Sequence, residues 1–357
     1  MGRAYVAAGA VAVGAAGVVG VAATAGVLAL AQRFVEELSR PGVKIEDVAP
    51  ELVKWELPSQ VVEPPVERIR ALEFAAPGGP RLRGEFWAQP YPAPTMVICH
   101  GYRVDRTRLR PVAALEYAHG SNTLLFDFRG HGESADAPTS GGYVEARDLS
   151  AALDAALAQP ETLPGRLFIH GFSMGAAVAL LLPPRADVAG IIADSPYARL
   201  DDILCRLVTW QLTAESAGWS PPLRRLRVGF PVLARVTCAA SDMIFRFRFH
   251  HPLIARPAAS VRAWGGRLRA AERAGVPHYR PPILLIHALG DPLIPVEHAL
   301  RIALAARSSG VALTLHFAES DVHCGAYGSD PDRYVDVLRR FVESAMPSQP
   351  RPVPDDA

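Results

Sequence analysis

Lysine is almost missing from this chain of 357 residues: only Lys44 and Lys54 occur, and arginine carries the rest of the positive charge. The formal net charge is +1, so the broad basic field of a protein that binds nucleic acid through phosphate contacts is absent. Cysteine is scarce too. Cys99, Cys205, Cys238 and Cys324 show no C-x-x-C spacing, which argues against a structural zinc site and a thioredoxin-type redox pair. Cys99 lies in an apolar run and reads as a small buried hydrophobe; Cys205 and Cys238 are the pair open to oxidation if the domain lies outside the cytoplasm. There is no internal repeat. With 50% hydrophobic and 20% charged residues, the composition is that of one large globular domain with attachments. A domain of that size buries a core large enough to be stable without staples.

Charge is absent altogether from Ala4 to Gln32, a run of Ala, Val, Gly and Leu. It exceeds the roughly 20 residues that span a bilayer as a helix. Glycines 9, 14, 17, 20 and 26 allow close helix–helix contact in lipid. Residues 1–32 are therefore expected to form a single-pass transmembrane anchor at the cell membrane. The competing reading is a cleaved signal peptide ending near Ala29-Leu30-Ala31; the apolar region is long for one, and only Arg3 marks its charged start. Arg3 and the amino terminus on one side face Arg33, Arg40 and Lys44 on the other, a count nearly balanced or slightly contrary to an exported domain, so charge does not assign the membrane side of the domain. Residues 33–66, with five prolines, read as a stalk, and 347–357 as a proline-rich disordered tail.

Between these ends, short apolar runs alternate with helical periodicity. Ile69–Ala75 and Leu82–Ala88 alternate like an opening hairpin. The runs 95–99, 122–128, 166–169 and 188–193 are nearly continuous, as strands buried on both faces are, and 283–288 and 311–317 supply two more strands. Helical segments near 107–118, 142–159, 174–182, 296–308 and 331–345 separate or follow them. The alternation predicts an α/β fold, a doubly wound and mostly parallel sheet of about eight strands. Function in such sheets gathers at the carboxyl ends of the strands, which is where the polar motifs fall.

Gly171-Phe172-Ser173-Met174-Gly175 follows the strand Leu167-Phe168-Ile169 and opens an alanine- and leucine-rich helix. Glycines on both sides of a serine are what a sharp strand-to-helix turn requires if it is to hold the hydroxyl proud of the sheet. The helix N-terminus favours negative charge developing beside it. With this context the sequence resembles the α/β-hydrolase superfamily, over residues 69–195 and 283–345, and other motifs agree. His100-Gly101-Tyr102 resembles the oxyanion loop; the resemblance implies backbone N–H donors at Tyr102 and Met174. Asp127-Phe128-Arg129-Gly130-His131-Gly132-Glu133-Ser134 resembles the D-x-R-G-x-G-x-S segment, mainly a structural loop, so His131 is not the base.

The family order is Ser, acid, His. Leu289-Gly290-Asp291-Pro292-Leu293-Ile294-Pro295 resembles the acid loop, although Ala288 replaces its first glycine. His323, between the last strand and the last helix, has the position of the base. The implied triad is Ser173, Asp291 and His323, with Asp194 as runner-up acid. His100, Gly101, His170, Asp194 and Tyr197 are expected to line the site. Residues 67–195 and 283–346 form the core, and 196–282 the inserted helical cap. The cap holds fourteen arginines against five acidic residues. Its basic face either meets anionic headgroups or an anionic substrate, or is simply solvated.

The resemblance implies a serine hydrolase that cleaves a carboxylic ester of modest size and needs no metal or organic cofactor. Its partners would be a small acyl substrate and the membrane, reached through the N-terminal helix and the arginine-rich cap. A peptidase, thioesterase or acyltransferase would use the same triad. A non-catalytic, membrane-tethered binding protein is the alternative of a different class.

Overall fold

A computed structural model of the chain describes residues 24–42, 62–275 and 279–346. The proposed span 1–32 lies outside them up to residue 23, as do 43–61 of the proposed stalk and the tail 347–357.

Residues 39–200 and 254–357 form one compact unit. Its sheet has eight strands: β1 (Ile69–Phe74), β2 (Leu82–Trp87), β3 (Ala93–Cys99), β4 (Asn122–Phe126), β5 (Thr162–Phe172), β6 (Val188–Asp194), β7 (Ile283–Ala288) and β8 (Leu313–Ala318). Their spatial order is β1-β2-β4-β3-β5-β6-β7-β8. β2 runs antiparallel to both β1 and β4, as the expected hairpin requires, and β3 to β8 are parallel. The strands read as continuous because both faces are covered. Every residue of β4, β6 and β7 is buried.

One face carries α3 (Glu145–Leu157), α4 (Met174–Leu181), α7 (Pro257–Arg273) and α8 (Glu297–Ser309). The other carries α2 (Arg110–Ala118) and α9 (Pro331–Ala345), with Val112, Ala113, Tyr334, Leu338 and Phe341 facing the strands. The spacing of Tyr334, Leu338 and Phe341 is the i, i+4, i+7 stripe of a helix lying on a sheet. Helix α7, read from the sequence as part of the cap, packs with this unit. Val261, Trp264 and Leu268 make an apolar stripe in the core. Gly265 lets α7 cross Ser309 of α8 so closely that a Cβ would sit 2.8 Å from its Cα.

The second unit comprises residues 1–38 and 201–253. Its described elements are most of α1 (residues 24–39), α5 (Leu200–Glu215) and α6 (Phe230–Phe249). Helix α1 runs on to residue 39, past the expected boundary at 32, because Ala31, Val35 and Leu38 are buried on one face. Ser241 of α6 donates to the Ala31 carbonyl at 3.4 Å, and Arg248 meets Glu36 at 3.8 Å. Cys205 and Cys238 are free thiols in contact with each other through a hydrogen bond. Residues Pro221–Phe249 are one apolar helical stretch, long enough to cross a membrane by length and composition.

Candidate active site

Ser173 sits where β5 turns into α4. Its backbone is forced to φ 52° and ψ −113°, a conformation that L-residues with side chains adopt only when the surroundings impose it. The turn is that tight because its flanks carry no side chains. A Cβ on Gly171 would lie 2.5 Å from the Gly175 carbonyl group, and one on Gly175 would lie 2.3 Å from the Cys99 carbonyl oxygen. The Ser173 N–H donates to the Asp194 carbonyl at 2.9 Å, tying the turn to β6. Ser173 is half-buried, whereas Met174 behind it is buried. As the first residue of α4, Met174 has an N–H with no acceptor inside the helix.

Asp291 and His323 are brought together from the loops after β7 and β8. His323 Nδ1 is 2.7 Å from Asp291 Oδ2, and both side chains are buried. Oδ1 of the same carboxylate accepts the N–H groups of Leu293 and Ile294, each at 2.9 Å. The Asp291 carboxylate is therefore fixed by its own turn. The two loops are also tied through backbone: Leu289 N–H donates to Ala318 O and Gly290 N–H to Ser320 O, both at 2.9 Å. Burial alone would raise the Asp291 pKa. The His323 ring beside it, through charge and hydrogen bond, and the Ile294 N–H outweigh that and hold the carboxyl below its ordinary value. With Nδ1 committed to the acid, Nε2 is the nitrogen left for proton transfer; the Cys324 thiol lies 3.6 Å from it. Burial raises that thiol well above its ordinary range, so it stays protonated.

Asp194, the runner-up acid, is engaged elsewhere. Ser195 donates to Oδ1 at 2.8 Å and the Tyr334 hydroxyl to Oδ2 at 3.1 Å. Tyr334 is in turn 3.2 Å from His170 Nε2, and His170 Nδ1 is 3.2 Å from Glu116. This buried chain of polar groups explains His170, expected to line the site: it lies under the sheet, stacked on Phe172. Tyr197 is likewise turned inward, with a buried ring and a hydroxyl that donates to the Gly141 carbonyl. Tyr334 and Glu116 escaped the sequence reading because each lies on a helix stripe that reads as ordinary packing.

His100 and Gly101 begin the loop that carries Tyr102. His100 Nδ1 is 2.7 Å from the Gly101 carbonyl, and Nε2 accepts the Phe128 N–H at 2.9 Å. His131 repeats the pattern, with Nδ1 at 2.9 Å from Arg129 O and Nε2 accepting from Arg103 N–H at 3.2 Å. Each ring must therefore be neutral with its proton on Nδ1. The 127–134 loop is structural, as expected. Asp127 is fully buried and accepts from Arg106 N–H at 2.7 Å, from the Arg106 guanidinium and from Glu133 N–H at 3.0 Å. Gly132 is obligatory, since its Cβ would lie 2.3 Å from that carboxylate. Among the described residues no group of three or more His, Cys, Asp or Glu is arranged to hold a metal ion.

Several known proteins are similar to this chain. The chain is 28% identical over 292 residues to the uncharacterized protein YqkD of Bacillus subtilis, covering 78% of this chain and 81% of that one. An uncharacterized protein of Mycobacterium tuberculosis is 30% identical over 171 residues, 46% of this chain and 56% of its own length. Among solved structures, the Pyrococcus furiosus esterase Pf2001 superposes with a TM-score of 0.56 at 20% identity, over 79% of this chain and 99% of that one; likeness at that identity shows the fold alone. Residues 90–324 match the family model described as serine aminopeptidase, S33. That match spans β5, the Ser173 turn and the Asp291 and His323 loops, and by it the chain belongs to the serine aminopeptidase family S33, hydrolases of the α/β-hydrolase fold.

Proposed function

We propose that this chain is a serine hydrolase of carboxylic esters, with Ser173 as nucleophile, His323 as base and Asp291 as acid. The observation that carries the reading is the 2.7 Å bond between Asp291 and His323, in a sheet whose β5 delivers Ser173 on a strained turn. Ser173 Oγ attacks the ester carbonyl carbon while its proton passes to His323 Nε2. The carbonyl oxygen becomes an oxyanion, taken up by the N–H groups of Met174 and Tyr102. As the tetrahedral intermediate collapses, the alcohol leaves with the proton from Nε2. Water, deprotonated by the same nitrogen, then releases the acid from Ser173. Asp291, kept ionised, holds the tautomer and offsets the imidazolium charge.

The esterase name of the Pyrococcus neighbour supports an ester substrate; the family description favours peptide hydrolysis as the second reading. We further propose that residues 1–32 hold the enzyme at the cell membrane as a single span, on the strength of the charge-free run from Ala4 to Gln32.

A fluorophosphonate probe tests the triad. Wild type is expected to label covalently, Ser173→Ala not at all, and Asp291→Asn and His323→Ala far more slowly. Folded wild-type protein that never labels would refute the hydrolase reading. Parallel turnover of acyl esters and aminoacyl amides separates the two substrate classes.

A further inference from the structure

Helix α6 has two apolar faces, and the fold of its unit uses only one. Phe230, Ala234, Thr237, Cys238, Ser241 and Phe245 are buried, a set that returns to one side of the helix every three or four residues. On the opposite side Val232, Val236, Met243 and Phe247 stand 62%, 49%, 62% and 86% exposed. Their separations of four, seven and four place them in one stripe about 100° wide or less. Val228, in the preceding turn, extends it. A soluble surface helix presents charge on that side. Here Arg235 and Arg246 flank the stripe, the latter steadied by Asp242 at 2.7 Å, and Arg248 lies away from it, against Glu36.

The same helix receives α1, the continuation of the charge-free run. Ala31 accepts from Ser241, and Glu36 meets Arg248 near the carboxyl end of α6. The segment proposed to span the bilayer therefore leads into a helix packed on the very element whose outer side is apolar. From these observations we propose that the exposed stripe of α6 is a lipid-contacting surface. The helix lies in the interface of the membrane with Val232, Val236, Met243 and Phe247 among the acyl chains and the flanking arginines at the headgroup phosphates. An amphipathic helix of this kind binds through buried apolar area plus attraction to anionic lipid, and arginine reaches the phosphates from a stem laid along apolar surface. The inference rests on the anchor reading of residues 1–32, which brings α6 to the bilayer, and deepens it: the membrane is gripped by two elements of one unit.

The test uses the full-length chain in vesicles of phosphatidylethanolamine and phosphatidylglycerol. They are doped with a phospholipid bearing a diazirine midway along its acyl chain, and adducts are located by mass spectrometry after illumination. Adducts are expected both in the 1–32 run and on residues 232–247. Val232→Ser/Val236→Ser/Met243→Gln/Phe247→Ser should lose adducts on α6 by about tenfold while keeping those in the run, because interfacial residence scales with the apolar area inserted. The conservative Val232→Leu/Val236→Leu variant, checked like the first for an unchanged melting temperature, should retain them. Adducts confined to the amino-terminal run would overturn the inference and leave the anchor standing. Cross-links between copies through this stripe in place of lipid adducts would also overturn it, in favour of self-association. Adducts on α6 without any in the run would keep the lipid contact of α6 but sink the anchor and with it the two-element grip, and adducts in neither would sink both.

Discussion

Two neutral histidines, His100 in the Tyr102 loop and His131 in the 127–134 loop beside it, make the acid sensitivity of this region calculable. Burial pushes His100 down to about 4 from the ordinary histidine value near 6.5, against a smaller opposing pull from the Gly101 carbonyl. His131 is lowered to about 4 as well, by burial first and then by the neighbouring His100 ring, 5.0 Å away between centroids. Protonating either ring turns an accepting Nε2 into a donor that faces a backbone N–H, of Phe128 or of Arg103. The unfolded chain therefore takes up these protons first as pH falls. The stabilisation is intact above about pH 6.5 and is lost progressively down to about pH 4. Near pH 5 the two sites together correspond to a slope of about 2 kcal/mol per pH unit, half from each. Asp127 and Asp148, whose carboxyls burial pushes up, act in the opposite direction, so the comparison is best made between variants. Urea unfolding in mild detergent, repeated from pH 7 to pH 4, should show a slope about 1 kcal/mol per pH unit shallower for His131→Gln than for wild type. The glutamine amide oxygen can take the Arg103 N–H without titrating. Equal slopes would refute the claim that His131 is neutral because it is buried.

Further predictions concern the site itself. Asp291→Asn should leave the fold in place and reduce ester turnover by about four orders of magnitude, because the imidazole loses its tautomer and its counter-charge; steady-state kinetics at neutral pH would measure it. Gly175→Ala drives a methyl group into the Cys99 carbonyl, 2.3 Å away. It should destabilise the unit by about 3 kcal/mol or more, read from the urea midpoint, since the atoms the methyl meets, in Cys99 and His100, are all backbone and cannot swing aside. Tyr334→Phe removes the donor to Asp194 at 3.1 Å and leaves a buried carboxylate under-bonded. A loss of about 1–3 kcal/mol is expected by chemical unfolding; no change would mean that the bond contributes nothing.

Much of this molecule could be read residue by residue. Continuous apolar runs announced β3 to β7, because a strand covered on both faces has no polar side to show. The Gly171-Phe172-Ser173-Met174-Gly175 turn announced itself too, since only glycine fits where a strand folds back so tightly that any Cβ strikes backbone. Asp291 and His323 were pointed to by short loop motifs after β7 and β8 that resemble those of the α/β-hydrolase superfamily. These are local properties, carried by neighbouring residues and by steric rules that act over a few bonds.

What the sequence left open depends on distant residues meeting. His170 and Tyr197 sit beside the motifs and were expected to line the site. Which way a strand-end side chain turns is decided by partners such as Glu116, 54 residues from His170, and Gly141, 56 residues from Tyr197. Asp194 and Asp291 were both plausible acids by position. Tyr334, 140 residues away from Asp194, occupies the first, while the second lies 32 residues before the histidine it holds. Helix α7 was assigned to the cap by its place in the chain, yet its Trp264 stripe packs into the core. By itself the sequence determined the strands and the glycine-flanked turn at Ser173, because each follows from short-range sterics and hydrophobic period, while the roles proposed for Asp291 and His323 came from the resemblance of their loops to a known superfamily. Only the tertiary structure decided which polar side chains face one another and which apolar face of α6 is left uncovered, because burial and hydrogen-bond partnership are properties of the packed chain.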